Sequence, residues 1–137
     1  MKAARPTLLL RNRQRDRRLD LRFLRRVLRQ VLATECPGGS HELCFHFVSA
    51  TEMARVNWQF LQHTGSTDVI TFDYTNSQSR LHGEAFICVA DAVQQAREYA
   101  EMLGLKFAYA TNGADIIEMW PFTRDGRRGI RPSTKRR

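Results

Sequence analysis

The 137-residue chain lacks most of the short signatures that announce an enzyme. It has no Gly-x-Ser-x-Gly elbow, no Walker loop and no dinucleotide fingerprint. No two of its four histidines, His41, His46, His63 and His82, stand at the i, i+4 spacing that sets two imidazoles on one helix face. Cys44 and His46 fall on one side of a strand and could form half a metal site, but such a pair is far more often core. Only three cysteines occur, Cys36, Cys44 and Cys88, without Cys-x-x-Cys spacing. They read as free thiols in a reducing cytoplasm, with Cys88 an inert thiol in an apolar run. Apolar runs are short as well. None approaches the roughly 18–20 residues of a membrane helix, and Leu8-Leu9-Leu10 is too brief for a secretory h-region. The expectation is a cytoplasmic protein that does not engage a membrane.

What is present is an ordinary globular composition, 42% apolar and 26% charged, which excludes a fully disordered or collagen-like chain. The length suits one domain, taken as residues 1–120, followed by a basic tail at 121–137. Charge is uneven. Residues 1–30 carry eleven Lys/Arg against two acids, and residues 124–137 carry seven against one. The middle holds four against eleven, so a mildly acidic body lies between two basic ends. Such ends suit a phosphate polymer, with solvated arginine as the bland alternative.

Residues 7–13 read as a strand. Asp20 stands where an N-cap would, and Leu21, Leu24, Val27, Leu28, Val31 and Leu32 then recur at helical spacing over 20–33. Arg22, Arg25, Arg26 and Arg29 lie opposite them. A transit peptide or membrane-surface helix would share this pattern, but the apolar face leads into a domain that needs it as core. Pro37-Gly38-Gly39-Ser40 stops the helix. Over 42–48, Leu43, Phe45 and Phe47 alternate with Cys44, His46 and Val48, a strand. Ser49 or Thr51 caps a helix over 51–63 with Met53, Val56 and Phe60 inward, and Leu61 as a further candidate. Strands follow at 68–74 and 84–89, then a helix over 91–103 ended by Gly104. The order gives an α+β fold, a mixed sheet of about four strands packed with helices. Residues 105–120 suggest one more helix, interrupted at Asn112-Gly113, and 121–137 read as disordered.

The informative stretch is Asn57-Trp58-Gln59-Phe60-Leu61, a Gly65 turn, then Thr67-Asp68-Val69-Ile70-Thr71-Phe72. Gly83-Glu84-Ala85-Phe86-Ile87-Cys88 and a helix with Gln95-Ala96 come after it. Together these segments resemble the bacterial YbeY family, endoribonucleases that act in rRNA maturation; the resemblance covers about residues 7–104. It implies a metal-dependent, single-strand-specific endoribonuclease of small-subunit rRNA maturation and ribosome quality control. Its partners would be rRNA and the small ribosomal subunit. It also places the 68–74 strand beside the family's active cleft, which makes Asn57, Thr67, Asp68 and Thr71 cleft candidates. Read locally, Asn57, Thr67 and Asp68 cap and turn the backbone. Arg22, Arg25, Arg26, Arg29, Arg127 and Arg128 are the candidate RNA-binding residues.

Two departures stand against the resemblance. Many members of the family have Arg at the position of Leu61. The family also holds zinc with His-Gly-x-Leu-His-Leu-x-Gly-Tyr-Asp-His, whereas no histidine follows His82 here. The resemblance implies zinc as cofactor, but this chain is not expected to bind it, and no catalytic residue is assigned. Two origins are open for the Arg-, Gly- and Pro-rich end: a reading-frame shift after about Gly104, or divergence into a non-catalytic rRNA- or ribosome-binding protein of the same fold.

Overall fold

The computed structural model describes residues 6–76 and 80–103, and the backbone alone of 108–111, 116–120 and 129–132. Strand β1 (Thr7–Asn12) leads through helix α1 (Leu21–Glu35) to β2 (His41–Val48). Helix α2 (Ala50–Leu61), β3 (Val69–Asp73), β4 (Leu81–Cys88) and α3 (Val89–Met102) follow. The sheet order is β1-β2-β4-β3. The pairs β1/β2 and β2/β4 are parallel, and β3 runs antiparallel to β4 on the edge. A parallel β1/β2 pair needs a crossover, which α1 supplies. This is the mixed-sheet α+β fold expected from the alternation of periods two and 3.6.

The two faces of β2 carry the two halves of the core. Leu43, Phe45 and Phe47 join Leu8 and Leu10 of β1, with Leu21, Leu24, Leu28 and Leu32 of α1 laid across them. On the opposite face Val48, Ile70 and Cys88 meet Met53 and Val56 of α2, flanked by Phe72 and Phe86. The caps are as the sequence suggests. The Phe23 amide donates to the Asp20 carboxylate at 3.0 Å, and the Glu52 amide donates to Ser49 Oγ at 3.3 Å. Between the two candidates for the second cap, the structure selects Ser49.

Several expectations are corrected. Val27 and Val31 sit at the edge of the α1 stripe and are 41% and 49% exposed, because the leucines already fill the contact with the sheet. Phe60 and Leu61 are 56% and 43% exposed: the last turn of α2 meets β3 only at its edge, where Phe60 touches the Phe72 ring and Leu61 lines a cleft rather than the core. Strand β4 begins at Leu81, since Leu81, His82 and Gly83 pair with His41, Glu42 and Leu43. At Gly83 a Cβ would come 2.7 Å from the Phe72 carbonyl oxygen, so glycine lets β3 approach there. The expected helix over 105–120 is instead β5 (Ala108–Thr111) and β6 (Ile116–Trp120), antiparallel, with β7 (Gly129–Pro132) on β6. Asn112-Gly113 between two short runs carrying Tyr109 and Ile116-Ile117 is a hairpin signal rather than a helix interruption. Within the stretch 121–137, residues 129–132 are strand; the remainder, like Gly104, lies outside the described residues. Among the described residues no helix is long and apolar enough to cross a membrane.

Candidate nucleic-acid interface

A cleft of about 770 Å³ opens where the end of α2 meets β3, the edge strand of the four-stranded sheet. The chain makes it by stopping α2 abruptly. Gln62 adopts the left-handed conformation at φ 56°, the one non-glycine residue with positive φ among those described. Its amide donates to the Trp58 carbonyl at 3.1 Å. Asn57, 5% exposed, donates from Nδ2 to the Gly65 carbonyl at 3.0 Å and so ties the helix to the turn. Gly65, at φ 88°, completes the reversal.

Asn57, Thr67 and Thr71 line this cleft, together with Gln62, His63, Thr64 and the apolar wall of Leu61, Val69, Ile70 and Phe72. Asp68 stands beside it rather than in its lining. One of its carboxylate oxygens accepts from Thr67 Oγ1 at 3.2 Å and from the Val69 amide at 2.9 Å, and its carbonyl accepts from the Cys88 amide at 2.8 Å. Asp68 therefore uses that oxygen and its carbonyl to start β3 against β4. Sequence reasoning missed Gln62, His63 and Thr64, read as helix end and turn; the Gly65 turn was the signal that they would face a gap. Among the described residues no Lys, Arg, Asp or Glu lines the cleft, and His63 is the one titratable residue in its lining. Amides, hydroxyls and an apolar wall suit a neutral, planar, hydrogen-bonding group better than a phosphate.

The arginines gather on the other side of the sheet. Arg22, Arg25, Arg26 and Arg29, spaced i, i+3, i+4 and i+7 on α1, line one groove of about 490 Å³ with Gln30. Arg25 is anchored by donating from Nη1 to the Leu8 carbonyl at 2.8 Å. Arg26 lies over the Phe23 ring, 5.7 Å from its centroid. Elsewhere Arg13 pairs with Glu52 at 2.7 Å and Arg80 with Glu42 at 3.3 Å. The candidates Arg127 and Arg128 lie outside the described residues. Since α1 and α2 cover opposite faces, the groove and the cleft are separated by the sheet.

Cys44 and His46 do share a strand face, but the imidazole is committed elsewhere. His46 is 5% exposed, lies 2.9 Å from Glu84 Oε2 through Nε2, and stacks on Phe86 at 4.5 Å. Burial raises the Cys44 thiol pKa, with Glu84 adding to it and Arg11 opposing. Burial likewise raises that of Cys88. Both thiols stay protonated at neutral pH, the state of an inert cysteine. The zinc implied by the resemblance needs three convergent imidazoles. No group of three His, Cys, Asp or Glu able to hold a metal occurs among the described residues, and the sequence has no histidine after His82. The residues present do not fit that metal.

Comparison with known proteins bears on the whole arrangement. The family described as Endoribonuclease YbeY matches residues 9–112, eight residues beyond the glycine at which the resemblance read from the sequence stops. The chain is 28% identical over 104 residues to Endoribonuclease YbeY of Finegoldia magna, covering 72% of this chain and 68% of that protein. It is 38% identical over 66 residues to the protein of that name from Bacteroides thetaiotaomicron, covering 48% and 44%. With that of Amoebophilus asiaticus it shares 37% over 57 residues, covering 42% and 39%. The last two matches thus span less than half of each relative's length. With the match running from β1 through the cleft to the end of β5, the chain belongs to the endoribonuclease YbeY family.

Proposed function

We propose that this chain is a single-strand RNA-binding protein of the small ribosomal subunit's rRNA, working in the cytoplasm and holding RNA through its phosphates. The observation that carries the reading is the convergence of Arg22, Arg25, Arg26 and Arg29 on one groove of α1. Guanidinium groups match phosphate oxygens in geometry, and each neutralised phosphate releases counterions. Residues 1–120 act as one domain, and the basic end at 121–137 adds phosphate contacts through Arg127 and Arg128. The hydrolytic step is not assigned to this chain, because three imidazoles for a metal are missing from its sequence after His82. The cleft residues Asn57, Thr67 and Thr71 then position RNA without cutting it, and Asp68 shapes the start of β3, the strand that carries Thr71.

A second reading is favoured by the relatives' shared name. In it the chain is a zinc-dependent, single-strand-specific endoribonuclease of rRNA maturation and ribosome quality control. One set of measurements separates the two. Purified chain is assayed for zinc by plasma emission, for cleavage of a labelled single-stranded RNA with added zinc, and for RNA binding by fluorescence anisotropy across salt. The first reading expects salt-steep binding, no stoichiometric zinc and no cleavage. One zinc per chain with cleavage carries the second reading. Absence of binding at low salt overturns the first. If the frame was lost after Gly104, another forward frame of the coding sequence should encode His-Gly-x-x-His; its absence there supports divergence.

A further inference from the structure

We infer that the row of rings Phe60, Phe72 and Tyr74 is a base-stacking site for single-stranded RNA, continuous with the cleft at the end of α2. The inference rests on the RNA-binding reading above and adds which part of the RNA meets which face. Phe72 and Tyr74 are two residues apart on and just beyond β3, so both rings rise on the side covered by α2. Their planes are within 7° of parallel and their centroids are 6.4 Å apart. That distance is within the roughly 4.5–7 Å of offset aromatic pairs, so the two rings present near-parallel faces along one side of the strand. Phe60 meets Phe72 edge-on at 5.1 Å, and His82 meets Tyr74 edge-on at 5.3 Å, which holds the row in place from both ends.

Burial argues that these rings are not there only for the core. Phe60 is 56% exposed and Tyr74 is 47% exposed, while Phe72 is half-buried and joins them to Ile70 and Met53 beneath. An aromatic side chain left that open forgoes the gain its burial would bring. The chemistry beside the row selects the occupant. Phe72 also lines the cleft, whose other polar residues are Asn57, Gln62, His63, Thr64, Thr67 and Thr71. With no Lys, Arg, Asp or Glu among the lining residues described, a phosphate or a charged peptide finds no partner there. A nucleobase does: it is planar, uncharged, stacks on rings and carries hydrogen-bonding edges for amides and hydroxyls. Only phosphates further along the RNA strand, past the sheet edge, reach the arginines on the opposite face. Every base has a π-face, so the site stacks without reading sequence strongly.

The test compares two labelled oligonucleotides of about ten residues, one single-stranded RNA and one abasic strand with the same backbone. Binding is read by anisotropy to the intact chain and to Phe60→Ala, Tyr74→Ala and the double variant. Both rings are largely open, so the variants should keep the far-UV circular dichroism and urea midpoint of the parent. Each alanine is expected to weaken binding of the base-bearing strand by about tenfold. Binding of the abasic strand and the salt slope should stay unchanged. Phe60→Tyr and Tyr74→Phe should restore the affinity. Equal losses on both strands, or no loss on either, would overturn the inference. A parent chain that binds both strands equally, with a steep salt slope, sinks base stacking and leaves phosphate binding standing. A parent chain that binds neither strand at low salt overturns both.

Discussion

Helices α1 and α2 lie on opposite faces of one sheet and are built to different ends. Helix α1 has 15 residues, none of them buried; it rests on the sheet through half-buried leucines, turns Arg22, Arg26 and Arg29 outward and sends Arg25 back to the Leu8 carbonyl. Helix α2 has 12 residues, and it buries Met53, Val56 and Asn57. The first is a charged cover that can be recomposed at its surface at little cost to the fold. The second is pinned at its centre, and its largely exposed last turn shapes a cleft with β3. Charge and shape are thus held on separate faces, where neither constrains the other.

The comparison breaks most readily at Met53. It is fully buried, and Met53→Ala should cost about 2–5 kcal/mol, whereas Leu28→Ala on α1, only partly buried, should cost less. Urea unfolding of the two variants checks this; equal costs would mean that α1 is pinned as firmly as α2. Next comes Gly83→Ala. The new methyl would meet the Phe72 carbonyl, a backbone atom that cannot swing aside, so β3 must shift at a cost of about 1–3 kcal/mol. Amide exchange should rise in β3 and β4 and stay unchanged in β1 and α1.

The α1 face is sharpened by charge. Replacing Arg22, Arg26 and Arg29 together by Gln leaves Arg25 on its Leu8 carbonyl, so the fold should hold. With three fewer cations on the phosphates of a single strand, the log–log salt slope should fall by about 2, at roughly 0.7 per neutralised phosphate. A slope unchanged in anisotropy titrations would move phosphate binding away from α1. The smallest effect concerns the thiols. Burial holds the pKa values of Cys44 and Cys88 above those of the unfolded chain. Above about pH 8.5 the unfolded thiols lose protons that the folded ones keep. The folded state then binds more protons, and stability falls as pH rises. Urea midpoints at pH 7 and pH 10 should show a shallower decline for Cys44→Ala/Cys88→Ala than for the parent.

Much of this fold was legible because its elements are strongly periodic. The alternation over Leu43 to Val48 assigns both faces of β2, and the leucines of α1 mark its inner stripe. The four arginines fall on one helix face by spacing alone. Local pattern could not tell that Phe60 stays largely exposed, since its i, i+4 relation to Val56 is that of a core residue. The Gly65 turn hinted that Gln62 and His63 face a gap, but nothing local showed that Asp68 would turn its carboxylate back on Val69. Residues 108–120 misled for a related reason: short alternating runs carry both periods, and pairing decides between them.

By itself the sequence determined the class of the fold, the cap at Asp20, the inner faces of β2 and the leucine stripe of α1, and the family to which the chain belongs. These follow from short-range pattern, where a residue's neighbours along the chain set its environment. Only the tertiary structure decided that the last turn of α2 lies open at the edge of β3, and that the arginine groove and the neutral cleft stand on opposite faces. It alone stacked Phe72 with Tyr74 beside Phe60. Those outcomes depend on strand order and register, β1-β2-β4-β3, which place residues far apart in the chain side by side. No local propensity encodes that placement, because the free energy that selects it comes from burial shared across the whole sheet.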